Sequence, residues 1–233
     1  MSVETDRGAR IGRLINPGLV AVVRANRTEQ VLPLAEALVA GGIVAIEITT
    51  TTPNHLEAIR AARQQLGPRA LVGVGTILDV PGAEAALAAG AEFVVSPVGA
   101  TELIAPAHAA GCPVMLGAYT ATECLRVQAA GADFVKLFPA DTLGPAYVKA
   151  LRAPLPDLRI VPTGGVDLQT ASQWLDAGCV ALGIGSSLLR PEILKADDWP
   201  ALTRLAAKFV AAVQVASRRP GALYLQGESR WWR

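Results

Sequence analysis

The sequence predicts an α/β protein, a (β/α)8 or TIM barrel with an extra N-terminal helix. Three observations point there. Eight short apolar runs rich in valine and isoleucine recur along the chain, stretches of helical period separate them, and 233 residues suit one such barrel as a single domain. Strands apolar on both faces, each followed by a helix, imply a parallel sheet. Eight units at this length favour closure over an open doubly wound sheet, which seldom repeats so regularly.

The runs in order are LVAVV (19–23), IVAIEI (43–48), ALVGV (70–74), EFVVS (92–96), PVML (113–116), DFVKL (133–137), RIVP (159–162) and VALGI (180–184). Between them lie alanine-rich amphipathic stretches such as VLPLAEALVAGG, HLEAIRAARQQLG, ATECLRVQAAGA and LQTASQWLDAGC, several ending in the glycine expected at a helix C-cap. An N-terminal helix over about residues 6–15 and a last helix over about 197–216 flank the barrel, so residues 1–217 form the domain. Residues 218–233, RRPGALYLQGESRWWR, read as a tail. Its Trp231 and Trp232 either cap the barrel, touch a neighbour, or belong to a frayed or artificial end.

Composition limits the partners. With 52% hydrophobic and 18% charged residues the chain can bury a large core and shows no sign of disorder. A net charge of +1 gives no reason to expect nucleic acid or a membrane surface, and no apolar run approaches the length of a membrane span. The N-terminus lacks the apolar core of a secretory signal, which makes the cytoplasm the expected address. Cys112, Cys124 and Cys179, without CxxC spacing, read as reduced packing residues. His55 and His108 sit in helical segments without ligand spacing, so no metal is expected. GVGTIL lacks the full GxGxxG pattern and its downstream acid, so no nicotinamide cofactor is expected either.

In such barrels the active site is built at the C-terminal strand ends. That rule selects Arg24 after the first run, Glu47 and Thr49 to Thr52 at the second, Thr76 after the third, and Ser96 and Pro97 after the fourth. Lys136, Phe138 and Pro139 follow at the sixth, Thr163, Gly164 and Gly165 after the seventh, and Gly185, Ser186 and Ser187 after the eighth.

Lys136 is the most informative, because it interrupts an apolar strand whereas Lys149, Lys195 and Lys208 lie in helical or loop segments. Desolvation favours the neutral form of a buried amine, which is the species that attacks a ketone to form an iminium ion. The competing reading is a buried salt bridge to a barrel carboxylate. Glu47 is open to both, as the partner of such a bridge or as a general acid/base. The second and sixth strands of an eight-stranded barrel face one another, so both side chains can share one cavity. PTGGV and GIGSS put small residues after strands seven and eight, the recurrent phosphate site of this fold, although glycines also make tight βα turns.

These residues bring a resemblance into view. VVRA (22–25), GGIVAIEIT (41–49), GVGTIL (73–78), FVVSP (93–97), GAYTATE (117–123), FVKLFPA (134–140), GPAYVKAL (144–151), PTGGV (162–166) and GIGSSL (183–188) make the chain resemble the KDPG/KHG aldolases from about residue 10 to 216. The resemblance implies a class I, Schiff-base aldolase that needs neither metal nor cofactor, works as a homotrimer, and takes a small 2-keto acid. That substrate is 2-keto-3-deoxy-6-phosphogluconate, giving pyruvate and glyceraldehyde 3-phosphate, or 4-hydroxy-2-oxoglutarate, giving pyruvate and glyoxylate.

By the same resemblance Lys136 matches the Schiff-base lysine, Glu47 the acid/base, and Thr76 a pocket threonine. Gly164, Gly165, Gly185 and Ser186 match the phosphate loops, and Arg24 an arginine near the substrate's anionic groups. Pro97, Phe138 and Thr163 border the pocket. Threonine before the double glycine favours the gluconate over the galactonate configuration. The chain departs from the pattern after the glutamate, where TLRTP reads TTTTP and Thr51 replaces the carboxylate-binding arginine. SPVG and LGAYTA also replace the commoner SPG and PGxxTP. Three alternatives stay open: an aldolase for the galactonate epimer, a phosphosugar isomerase or epimerase that forms no imine, and a non-catalytic trimeric barrel.

Overall fold

The computed structural model describes residues 3–217; residues 218–233, including Trp231 and Trp232, lie outside them. The apolar runs form eight parallel strands: β1 Leu19–Val23, β2 Ala45–Thr49, β3 Leu71–Gly75, β4 Val94–Val95, β5 Val114–Ala118, β6 Phe134–Leu137, β7 Ile160–Pro162 and β8 Leu182–Ile184. They pair in the order β7-β6-β5-β4-β3-β2-β1-β8. A bridge between Thr163 and Gly183, with the Val180 N–H donating to the Ile160 carbonyl at 3.0 Å, joins the two ends. The fold is therefore the (β/α)8 barrel that the alternating pattern predicts.

Because side chains alternate across a strand, each run of buried residues divides between two layers. Leu19, Ala21, Ile46, Ile48, Val72, Val74, Leu116, Val135 and Leu182 point outward and pack against the helices. Val20, Ala45, Leu71, Phe93, Val95, Met115, Phe134, Val161 and Ala181 fill the barrel interior. The same parity turns Glu47 and Thr49 inward with Ala45, Gly73 and Gly75 with Leu71, and Lys136 with Phe134.

Ten α-helices are described, among them α1 Val3–Ile15, α2 Val31–Ala40, α3 His55–Leu66, α4 Val80–Ala88, α5 Ile104–Ala109, α6 Ala121–Ala129, α7 Gly144–Arg152, α8 Ala171–Asp176, α9 Pro191–Ala196 and α10 Trp199–Ser217. The N-terminal helix does more than flank the barrel. Ile11 and Leu14 of α1 join the interior cluster and close its N-terminal end. Arginines fasten this plug to helix α5 and the turn after it: Arg10 donates to the Gly111 carbonyl at 2.7 Å, and Arg7 to His108 Nδ1 at 2.6 Å. A guanidinium only donates, so Nδ1 is the acceptor and Nε2–H faces Asp133 Oδ2 at 2.9 Å. His108 thus ties α1 to a buried acid and serves the fold.

Among the boundaries that differ from the sequence reading, three have a visible physical cause. β4 shrinks to two residues because Glu92 is taken up at the barrel floor, where Oε2 accepts the Val72 N–H at 3.1 Å and meets Arg63 at 2.7 Å. β2 starts at Ala45, since the Ile43 N–H closes the end of α2 by donating to the Leu38 carbonyl. The last helix begins only at Trp199, and a separate α9 precedes it, divided from it where Asp197 adopts a left-handed φ of 51°.

Candidate active site

Lys136 and Glu47 meet inside the barrel. Lys136 is paired in register with Gly117 and Val161, and Glu47 with Val22 and Gly73. From opposite walls, Nζ and Oε1 come within 3.6 Å, and the two residues are 4% and 1% exposed. The barrel glycines make this possible. Gly73 and Gly117, beside the pair, add no side chain to the cavity, and Gly117 allows the Pro97 carbonyl to approach β5 closely. Among the described residues Glu47 Oε1 has no hydrogen-bond partner, and Lys136 Nζ is the polar atom that faces it. Phe138 follows on the same face of β6, with its ring centroid 5.4 Å from Lys136 Nζ. The Phe138–Pro139 peptide is cis.

Many of the other sequence-selected residues line one cleft at the C-terminal strand ends, which touches the pair's surroundings through Phe138; Pro97 borders a different cavity, and Thr51, Thr76 and Ser96 line neither. A cleft of about 570 Å³ runs from Phe138 past Thr163, Gly164 and Gly165 to Gly185 and Ser186, with Arg24 and Val22 on its β1 side. Arg24 is exposed, and among the described residues its guanidinium has no acidic partner. Gly164 and Gly165 take φ of 97° and 70°, a region open to glycine, and Gly165 packs so tightly on Asp141 that an added Cβ would stand 2.4 Å from the Asp141 Cβ. After β8 the N–H groups of Leu188 and Leu189 both return to the Gly185 carbonyl, forming a turn whose first N–H groups, at Ser186 and Ser187, precede any acceptor within it. Ser187 donates to the Val166 carbonyl and joins the two loops. The cleft can therefore offer N–H donors and one cation to an anion.

The threonines after Glu47 are largely engaged with one another and with β1. Thr49 donates to the Val23 carbonyl at 3.1 Å, and its hydroxyl oxygen lies 2.8 Å from that of Thr51. Since a hydroxyl has one proton, Thr51 is the donor in the second bond. Thr52 accepts the Ala25 N–H at 3.2 Å, and Thr50 donates to the Thr76 carbonyl at 3.1 Å. Thr49 and Thr52 thus hold the end of β1, and with it Arg24, against β2. Thr76 has φ of 63°, an uncommon conformation for a β-branched residue, and such strain is found at functional sites.

Sequence reasoning gave no role to several lining residues. Val22 follows from strand parity alone. Asp167 lines the cleft as an anion: burial raises its pKa, but bonds from the Thr170 and Gln169 N–H groups and the Thr170 hydroxyl outweigh that and hold it below the usual range. On the other side of Phe138 lies a second cavity of about 480 Å³, bordered by Pro97, Val98, Tyr119, Glu123 and Arg126. Its signal was confined to the unusual SPVG and LGAYTA loops. His55 and the three cysteines lie away from the cleft, and among the described residues no three His, Cys, Asp or Glu side chains are grouped to hold a metal ion. No described helix is long and apolar enough to cross a membrane.

Comparison with known proteins gives a consistent picture. Residues 12–205 match the family model for KDPG and KHG aldolase. The chain is 37% identical to the 2-dehydro-3-deoxy-phosphogluconate aldolase of Pseudomonas aeruginosa, covering 84% of this chain and 90% of that protein. It is 36% identical to the 2-dehydro-3-deoxy-6-phosphogalactonate aldolase of Escherichia coli, covering 74% and 84%. Among solved structures it superposes on the KDPG aldolase of Legionella pneumophila, captured with pyruvate as a covalent carbinolamine, with a TM-score of 0.78, 29% identity and coverage of 86% and 96%.

Proposed function

This chain belongs to the KDPG and KHG aldolase family, a carbon–carbon lyase, and on that premise we propose that Lys136 is its Schiff-base nucleophile and Glu47 its proton shuttle. One observation carries the assignment: a buried amine and a buried carboxylate face each other at 3.6 Å inside the barrel, the amine beside Phe138, whose ring lines an open cleft. The relative captured as a pyruvate carbinolamine supports an imine route.

The chemistry runs as follows. Glu47 accepts a proton from Lys136, whose neutral amine attacks the C2 ketone and gives a carbinolamine. Glu47 returns the proton to the departing hydroxyl, and water leaves an iminium ion, the electron sink. Glu47 then takes the C4 hydroxyl proton, the C3–C4 bond breaks, and its electron pair forms an enamine while C4 leaves as an aldehyde. Protonation at C3 and hydrolysis release pyruvate and restore the lysine.

The substrate is a 2-keto-3-deoxy-6-phosphosugar acid of the gluconate configuration, or 4-hydroxy-2-oxoglutarate. Gly164, Gly165, Gly185 and Ser186 bind the phosphate, with Arg24 supplying the charge. Pro97, Thr76, Phe138 and Thr163 shape the pocket around C3 and C4, and Thr51 borders the carboxylate end. On the resemblance, the enzyme works as a homotrimer in the cytoplasm, without metal or cofactor. Borohydride reduction in the presence of pyruvate and a chelator, followed by peptide mass mapping, tests the central assignment. A reduced pyruvyl adduct on Lys136 is expected. Assay of a small panel of keto-deoxy acids then reads the substrate, and a clear preference for the galactonate epimer by kcat/KM removes the argument from Thr163.

A further inference from the structure

A glycine on the strand beside Glu47 has no backbone reason to be one. Gly75 ends β3 opposite Thr49, outside the set of glycines with positive φ, so its conformation is open to any residue. Its N-terminal neighbour in parity, Gly73, makes way for the Phe93 ring, which an added Cβ would meet at 2.4 Å. Gly75 makes way for the carboxylate. A Cβ there would stand 1.9 Å from Glu47 Oε1 and 2.5 Å from its Cδ and Cγ, against a contact optimum of about 3.5–4.0 Å between carbon atoms. Oε1 is also the oxygen that faces Lys136 Nζ.

We infer that Gly75 is a positioning residue for the acid/base: the empty side of β3 is the groove in which the Glu47 carboxylate lies within reach of Lys136. This rests on the proton-shuttle reading of Glu47. Thr50 anchors the same point, its N–H donating to the Gly75 carbonyl at 2.9 Å, so β3 does not swing aside. A methyl group at this position moves the carboxylate by more than the roughly 1 Å that costs about 10²-fold when a reacting group is misplaced.

The test is a double-mutant cycle read by deuterium exchange into the pyruvate methyl group. Gly75→Ala should slow exchange and kcat about 10²-fold while KM changes by less than about threefold, and borohydride trapping on Lys136 should persist. In the Glu47→Ala background neither the carboxylate nor Cγ is left to meet the added methyl, so Gly75→Ala should there cost the residual exchange less than about threefold. Gly73→Ala, which crowds Phe93, controls for strain in the barrel and should lower thermal stability without separating exchange from trapping. Equal losses from Gly75→Ala in both backgrounds overturn the inference, as does a loss of trapping that matches the loss of exchange. If Gly75→Ala alone fails to fold, the comparison of Gly75→Ala/Glu47→Ala with Glu47→Ala decides in the same way: a loss of about threefold or more refutes the steric coupling. Unchanged exchange in Glu47→Gln is a separate result, which removes the shuttle reading itself.

Discussion

Lys136 and Glu47 stand on strands with three others between them in either direction round the barrel, strands that share no hydrogen bond, yet Nζ and Oε1 are separated by 3.6 Å. A contact of this kind belongs to the cavity and not to either strand. It has two possible uses, and substitution tells them apart.

Lys136→Ala should abolish borohydride trapping of pyruvate, since Lys149, Lys195 and Lys208 lie on α7, α9 and α10. Glu47→Gln keeps the shape and loses the base, so methyl exchange should fall by about 10²- to 10⁴-fold while trapping suffers less. Were the two only a structural pair, either substitution would leave an uncompensated buried charge, cost about 3–5 kcal/mol, and leave trapping unrelated to Lys136. An adduct mapped to any other lysine sinks the assignment.

Most of this was legible before the structure. A lysine inside FVKLFP and a glutamate inside VAIEIT are conspicuous because strand parity puts both on the interior face, and eight regular units place strands two and six opposite each other. What escaped the sequence depended on groups far apart in the chain. Arg7, His108 and Asp133 form one floor network across more than a hundred residues, and no local pattern announces it. The separate α9 escaped because Asp197, rather than a glycine, makes the left-handed break. The direction of the Thr51 hydroxyl likewise depends on the Val23 carbonyl, on another strand.

Thr76 offers a test of strain against function. At φ of 63° alanine gains nothing and glycine relaxes the backbone, so Thr76→Gly should be more stable to heat or urea than Thr76→Ala by about 1 kcal/mol. Both lose the hydroxyl. If Thr76 touches substrate, both should raise KM to a similar degree, and activity that instead follows stability removes its pocket role.

The cysteines should be silent in the folded protein. Burial pushes the Cys112 and Cys124 thiols up to about 11 and that of Cys179 higher still, so almost no thiolate exists near neutral pH. A chromogenic disulfide reagent at pH 7 should titrate well under one thiol in the native state and all three after denaturation. Rapid reaction of one thiol in the folded enzyme would contradict this.

The substituted arginine position gives the sharpest forecast about substrate. Thr49 gives its proton to the Val23 carbonyl, so the 2.8 Å bond to Thr51 is donated by Thr51. Thr51 is left with lone pairs to present outward, and a carboxylate also only accepts. The two cannot bond without breaking the threonine chain. Thr51→Val should therefore change KM for pyruvate in the exchange reaction by less than about threefold, a small effect beside the 1.5–3 kcal/mol typical of a hydrogen bond to a charged group. Arg24 lines the cleft and has no acidic partner among the described residues, so Arg24→Ala should raise KM for a phosphorylated substrate about tenfold or more. Thr51→Arg should lower KM for pyruvate by a comparable factor, because a guanidinium can grip a carboxylate with two parallel bonds. Steady-state kinetics on the three variants measure all of this. A KM rise in Thr51→Val as large as that in Arg24→Ala would mean that the hydroxyl turns to the substrate, and would overturn the argument from the threonine chain.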